Sequence, residues 1–434
     1  MRQGETFWTA YDPLESGSSN EDPLGFYAYA MRLAEEWLPG ITTRTRRIRY
    51  YSMVCGGLYL IESALSQRIG EAENKDAERT ALFLRWERLW AVINAADEDQ
   101  DLRGLIGRKK ASTMFKNGGL KGASVDFTLI QRQPDLGGLG AYRTSLQAFG
   151  LMREDSVELT ADGRHLADMF WDQHRSIWKK CARTIDTGRV RLPRSRQKLA
   201  RISRRLGIQA RRQGTDATSV LRDELAFLRD RLLPENGGQL RRTEVLEYLR
   251  KRGLSDDSEW DILTYAARRA NFGGGTPLGR RAAAIVALEN YKSSLLDILN
   301  LFRLHLIRCG GVSSPRKMPR SSKLRGLTAT ARAAQRKVLR FSDSPEFQHV
   351  FRDFPLGKDM VIDEGVSLIE RLLDVHIREM RRRTSPRWFH PATGGKWELD
   401  SSMAFHPDED AQPKTYTYRT ENLIRMARET GRRL

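Results

Sequence analysis

The sequence predicts a mainly α, multidomain helical protein with one small α+β module and a small C-terminal module. Three observations carry that expectation. The chain has 434 residues, more than one core at roughly 150 residues per domain. Apolar residues recur at three- and four-residue intervals along most of it. Strand-like alternation is confined to short stretches, residues 124–133, which read as a short strand or the start of a helix, and 157–159, and Trp388, Phe389 and Trp397 around Gly394-Gly395 suggest a small β-hairpin.

Residues 1–103 read as an acidic helical N-terminal domain. Residues 24–37 are spaced as a helix that Pro39-Gly40 ends. Residues 48–69 and 77–95 predict two more, the second with Leu82, Trp86, Leu89 and Trp90 on one face, and the acid-rich 97–101 predicts a loop. Between them ITTRTRRIRYY interleaves Arg44, Arg46, Arg47 and Arg49 with Tyr50 and Tyr51. Arginine with tyrosine can clamp phosphates and stack on bases. The same arginines could equally pair with acids of this domain.

In residues 104–177 a helix with Tyr142, Leu146 and Phe149 closes at Gly150, a polar turn follows, and Val157-Glu158-Leu159 alternates. Thr160 then N-caps a helix that is expected to run from Gly163 to about Ile177. This order, ending in VELTADGRHLADMF, resembles the end of a winged helix-turn-helix. The resemblance implies a winged-helix-like α+β module whose recognition helix spans about 140–148 and offers Arg143, Ser145 and Gln147. Such modules serve DNA contact or protein interaction.

A basic linker and helix follows over 178–214, broken at Pro193, with a helix over 195–212 whose apolar side is Leu199, Ile202 and Leu206. Residues 215–308 predict a helical domain with helices at 219–233, 242–251, 259–270 and 280–308. Residues 309–327 predict a basic linker. Residues 328–434 predict a C-terminal helical module with helices at 361–380 and from Arg419 on.

The net charge of +19 implies a polyanionic partner, and it is unevenly placed. Residues 1–100 hold 11 basic and 16 acidic residues, a net of −5, whereas 175–212 hold 14 basic residues against one acid and 308–340 hold 10 against none. Runs without acids cannot be neutralised by i,i+4 pairs. They are either solvated linkers or phosphate-contacting surfaces. The candidate phosphate contacts are Arg44, Arg46, Arg47 and Arg49; Arg143; Lys179, Lys180, Arg183, Arg189, Arg191, Arg194, Arg196, Lys198, Arg204, Arg205, Arg211 and Arg212; Arg316, Lys317, Arg320, Lys323 and Arg325; and Arg381, Arg382 and Arg383.

The motifs of several enzyme classes are missing. No Walker A loop, dinucleotide fingerprint, GxSxG, HExxH or kinase signature occurs. Cys55, Cys181 and Cys309 are too scattered for a zinc site or a disulfide scaffold, and the histidines show no metal-ligand spacing. No cofactor or metal is expected. The polar start and the absence of an 18-residue apolar run predict neither signal peptide nor membrane span, hence a cytoplasmic protein. The Arg-x4-His spacing of Arg371 and His376 resembles the ribonuclease motif of HEPN domains.

Together these features predict a non-catalytic nucleic-acid-binding protein, with double-stranded DNA favoured over RNA and contacts mainly to phosphates. The pattern is similar to bacterial proteins encoded in mobile or anti-phage defence gene clusters. That similarity implies a subunit acting beside a separate ATPase or nuclease, or as a homo-oligomer. Two other readings stay open: a nuclease built around Arg371 and His376, and an assembly subunit binding acidic protein partners.

Overall fold

A computed structural model of the chain describes residues 22–97, 101–116, 124–172, 175–193, 195–208, 219–234, 241–268, 275–319, 321–354, 360, 366–383, 387–403, 415–432 and 434. The fold is mainly α with one small antiparallel sheet. In chain order the helices are α1 (Tyr27–Trp37), α2 (Arg49–Ala64), α3 (Ser66–Glu71), α4 (Lys75–Ala95), α5 (Arg108–Lys116), α6 (Gln133–Leu136), α7 (Gly138–Ala148), α8 (Ala161–Trp171), α9 (Arg175–Thr187), α10 (Arg196–Leu206), α11 (Ser219–Leu232), α12 (Arg241–Arg252), α13 (Glu259–Ala267), α14 (Pro277–Arg308), α15 (Ser322–Ser342), α16 (Val366–Arg383) and α17 (Thr420–Thr430). The strands are β1 (Val312–Ser313), β2 (Phe389–Ala392) and β3 (Lys396–Leu399). No helix among the described residues is long and apolar enough to cross a membrane.

The described residues gather into two compact units. One draws on Met1–Trp37 and Asp257–Tyr418, the other on Leu38–Asp256 and Arg419–Leu434. Each therefore recruits a helix from the far end of the sequence: α1 packs on α14, and α17 packs on α11 and α12.

In the unit built on residues 38–256, α2 is buried along nearly its whole length, with α4, α7, α8 and α9 around it. Two glycines make that crowding feasible. A Cβ on Gly56 would strike the Phe170 ring, and one on Gly57 would strike the Trp86 ring. With glycine at both positions, the Trp86 indole donates to the Met53 carbonyl at 3.0 Å and the Trp171 indole to that of Gly56 at 2.8 Å. These aromatic anchors are large apolar groups whose one polar atom finds a partner, as burial requires. The Thr160 hydroxyl accepts the Gly163 N–H at 3.2 Å and caps α8. A Cβ on Gly163 would run into the Leu151 carbonyl.

Several boundaries differ from the sequence expectation. The helix expected over 48–69 breaks at Leu65, whose φ and ψ are non-helical. The helix expected to reach Ile177 is instead α8, ending at Trp171, followed by a separate α9. The alternating stretch after Ser124 forms no strand; it makes one isolated bridge, Ser124 to Arg189, while Val125 and Leu129 fill the core. The turn after α7 is closed by a single bridge, Met152 to Leu159.

In the other unit, α14 is the central helix and α1, α13 and α15 pack along it. Lys292 and Glu289 form a buried ion pair of 2.6 Å on α14. The Tyr418 hydroxyl donates to Glu289 at 2.7 Å, and the Lys292 ammonium lies 3.8 Å from the centre of the Tyr416 ring. Such partners are what make a buried charge tolerable. Residues 309–327, expected as a linker, contribute β1, a 3-10 turn over Pro315–Lys317 and the start of α15. They are ordered by burial: Ser313, Pro315, Met318 and Leu324 all face inward. β3 lies between β1 and β2, with Phe389 opposite Leu399 and Ala392 opposite Lys396. Gly394 and Gly395 turn the hairpin at φ of 70° and 68°, a conformation glycine adopts without strain.

Candidate nucleic-acid interface

The first basic run lies on α9 and α10, both packed against α4. On α10 the apolar spacing decides what faces out. Leu199, Ile202 and Leu206 turn inward, so Arg196, Lys198, Arg201, Arg204 and Arg205 are left exposed. On α9, Cys181, Ala182 and Ile185 are buried and Lys179, Lys180 and Arg183 are exposed. Arg189 and Arg191 follow, also exposed, after Gly188 at φ 70°. The run's one acid is already engaged, since Asp186 pairs with Arg68 at 3.1 Å. Arg204 reaches Asp97 at 3.7 Å, and Arg196 donates to the Ala96 carbonyl at 3.4 Å. Among the described residues, the side chains of Lys179, Lys180, Arg183, Arg189, Arg191, Lys198, Arg201 and Arg205 have no ion-pair or hydrogen-bond partner. Arg194, Arg211 and Arg212 lie outside the described residues.

The arginines of 44–49 divide between inside and outside. Arg49 is 1% exposed and pairs with Glu224 at 3.0 Å. It also donates to the Arg205 carbonyl at 2.9 Å and lies over the Phe170 ring. Arg47 is buried and meets Glu429 at 2.6 Å, whose other oxygen accepts the Ile48 N–H at 2.7 Å. Burial raises the Glu429 carboxyl above its ordinary range, and Arg47 opposes that rise. Tyr50 and Tyr51 are buried too, so neither can stack on a base. Tyr50 stacks on Tyr142 at 4.9 Å, and the Tyr51 hydroxyl meets that of Ser145 at 2.5 Å. Arg44 and Arg46 alone of this segment face the surface, where they line a cleft with Arg103 and Arg108.

The helix at the recognition position, α7, is committed to packing. Its Leu139, Ala141, Tyr142, Ser145 and Leu146 are buried. Gln147 donates to the carbonyls of Arg153 and Glu154 in the following turn. Arg143 is half-buried, and burial lowers its pKa from the usual arginine value. None of the three polar residues of that helix stands free to read base edges.

In the other unit, Arg316, Lys317, Lys323 and Arg325 are exposed, and Arg316 lies 3.7 Å from Glu370. Arg320 lies outside the described residues. Sequence reasoning stopped at Arg325, yet the same face of α15 continues through Arg336 and Lys337. The signal was present: Leu324, Thr328, Ala331, Ala334 and Val338 recur at helical spacing and are buried, leaving the cations opposite. Arg201, not among the candidate contacts, is exposed on α10 by the same spacing. Arg381 is exposed, Arg382 pairs with Glu379 at 2.9 Å, and Arg383 pairs with Asp22 at 2.8 Å. Asp22 also accepts the N–H groups of Phe26 and Tyr27, so Arg383 helps to hold the start of α1.

Arg371 and His376 do not converge. Five residues apart on α16, they lie roughly 140° apart around the helix axis. His376 is wholly buried; its Nδ1 donates to the Pro23 carbonyl at 3.1 Å and its Nε2 accepts the Trp388 N–H at 3.0 Å. Burial lowers the ring's pKa to about 4, so it is neutral with both nitrogens engaged. No protein-family model, no curated protein and no solved structure matches this chain.

Proposed function

We propose that this protein binds nucleic acid without acting on it chemically, gripping the phosphates of double-stranded DNA with the exposed face of α9 and α10. One observation carries the reading: eight exposed cations, six on α9 and α10 and two on the segment that joins them, have no side-chain partner among the described residues, and the only acid of the run is taken by Arg68. Like charges held within a Debye length of about 8 Å repel. A polyanion relieves the repulsion and releases its own counterions as it binds. Duplex DNA is favoured by the winged-helix-like order of 104–177, with the module as scaffold rather than reader, because α7 is packed inward. The buried, neutral His376 supports leaving catalysis out. A role as one subunit of a bacterial multi-protein system, anti-phage defence included, follows from the resemblance of the sequence.

The test is the anisotropy of a labelled duplex titrated at several salt concentrations. Affinity should fall linearly with log salt, and the quadruple variant Lys179→Glu, Arg183→Glu, Arg201→Glu, Arg205→Glu should lower that slope by about three to four. The loss should be uniform across duplex sequences, because phosphates carry no sequence information. An unchanged slope in the variant removes this face from the site. Co-purification with an acidic protein that survives nuclease treatment, with no duplex binding, would favour the assembly-subunit reading instead.

A further inference from the structure

Above the buried Arg47, two short segments meet in an open cleft of about 460 Å³. Arg44, Arg46, Arg103 and Arg108 line it, with Leu105 and Leu136 contributing apolar surface. Both segments are fixed from beneath. Arg47 donates to the Arg103 carbonyl at 2.7 Å, and the Tyr50 hydroxyl accepts the Ile106 N–H at 2.7 Å. Gly104, at φ 82°, lies directly on the Arg47 side chain; a Cβ there would come within 2.9 Å of its Cγ. The Thr45 hydroxyl donates to the Thr42 carbonyl and accepts the Thr42 N–H, each at 2.9 Å, which holds the turn that carries Arg44 and Arg46. The guanidinium groups therefore stand on preorganised backbone.

Their charge is only partly answered. Asp101 pairs with Arg103 at 3.0 Å, and that contact holds its carboxyl below the usual range. Arg46 donates to the Thr43 carbonyl at 3.3 Å. The Arg108 side chain has no partner among the described residues. Arg108, Lys109 and Lys110 are exposed and also open α5, which puts three cations at the positive end of a helix dipole. Helices ordinarily carry acids there. An anion seated in the cleft would answer both the arginine cluster and the helix end.

We infer that the cleft binds a single nucleotide unit, its phosphate on Arg46 and Arg108 and its sugar or base against Leu105 and Leu136. The inference deepens the phosphate-binding reading and rests on it for the class of ligand. Guanidinium groups match phosphate oxygens bidentately. A mixed lining of apolar surface and a few charged groups within the 300–1,000 Å³ range of small-molecule sites fits a nucleoside monophosphate better than a bare ion. The phosphate monoester could belong to a free nucleotide or to the 5′ end of a strand.

Calorimetric titration of the full chain with AMP, inorganic phosphate and adenosine tests this. AMP should bind more tightly than either half. Arg46→Glu with Arg108→Glu, two exposed positions, should weaken AMP at least about tenfold with an unchanged far-ultraviolet spectrum. The quadruple α9–α10 variant should bind AMP as wild type does. Absence of AMP binding to the wild type, or full retention in the cleft variant, overturns the inference. A duplex with 5′-phosphates compared with its 5′-hydroxyl twin separates the sources. Tighter binding of the phosphorylated form, lost in the cleft variant, assigns the pocket to strand ends; equal binding of the two assigns it to free nucleotide. If AMP binding responds to the cleft variant while no duplex binds, the pocket stands and the α9–α10 reading falls.

Discussion

The basic stretch of residues 44–49 and that of α9–α10 are both acid-free or nearly so in sequence, yet they differ in fate. In the first segment Arg47 and Arg49 are buried against Glu429 and Glu224, whereas in the second the cations stand in solvent with their one acid removed. The difference is set by the apolar spacing around them. Arg49 opens α2, a helix with neighbours on several sides whose first ten positions are all buried, so it is drawn inward. α10 packs only its Leu199, Ile202 and Leu206 stripe, and the cations fall on the rest of its circumference. A basic run is a surface only where the helix carrying it has a free side.

The contrast breaks most visibly at Arg49 and Glu224. Both side chains are nearly inaccessible, and removing one partner strands the other charge in the core. Glu224→Ala should destabilise the protein by about 3–5 kcal/mol, measured by denaturant unfolding. The double variant Arg49→Met, Glu224→Leu should recover most of that loss, because two apolar groups need no solvation. A single variant within 1 kcal/mol of wild type, in a reading where buried pairs cost several, would mean the pair is wet and the two regions are alike.

That pair also marks where the sequence stopped being legible. Charge segregation, the Thr160 cap, the Gly394-Gly395 hairpin and the apolar side of α10 could all be read locally, since each rests on residues close in sequence. Arg47–Glu429 and Arg49–Glu224 join residues 382 and 175 positions apart. No local pattern announces such a pairing. The same applies to α1 and α17, whose amphipathic faces were readable while the units they complete were not. At the candidate site the run of lysines and arginines was legible as charge segregation and the apolar side of α10 as periodicity, while α9 was expected as linker. The cleft was not legible, because two separate loops and a buried arginine beneath them compose it.

His376 extends the contrast to a titrating group. Its ring is neutral in the fold, with a pKa of about 4, against about 6.5 in an unfolded chain. Between those values the unfolded chain holds a proton that the folded one lacks, so this contribution to stability shrinks as pH falls. From pH 7 to about pH 4.5 the wild type should lose about 2.5 kcal/mol more than His376→Gln. Glutamine can still donate to Pro23 and accept from Trp388, but it does not titrate. Parallel pH profiles of the two proteins would place His376 in solvent and reopen a catalytic role for it.

The smallest effect is expected on the exposed side, and its sign is the informative part. Arg201 and Arg205 are four residues apart on α10, so they are neighbours on the helix surface and repel. Arg201→Glu creates an i,i+4 pair with the glutamate N-terminal to arginine, the better orientation. It also removes one member of an unanswered cluster. The folded protein should gain a few tenths of a kcal/mol, read as a rise in denaturation midpoint at unchanged slope, and the gain should vanish in molar salt. The same substitution should weaken duplex binding. Stability and binding would then move in opposite directions at Arg201, which is the mark of charge kept in place for a partner, whereas at Arg49 the charge serves the fold. A loss of stability on Arg201→Glu would show instead that these cations are already answered within the protein, and the distinction between the two regions would collapse.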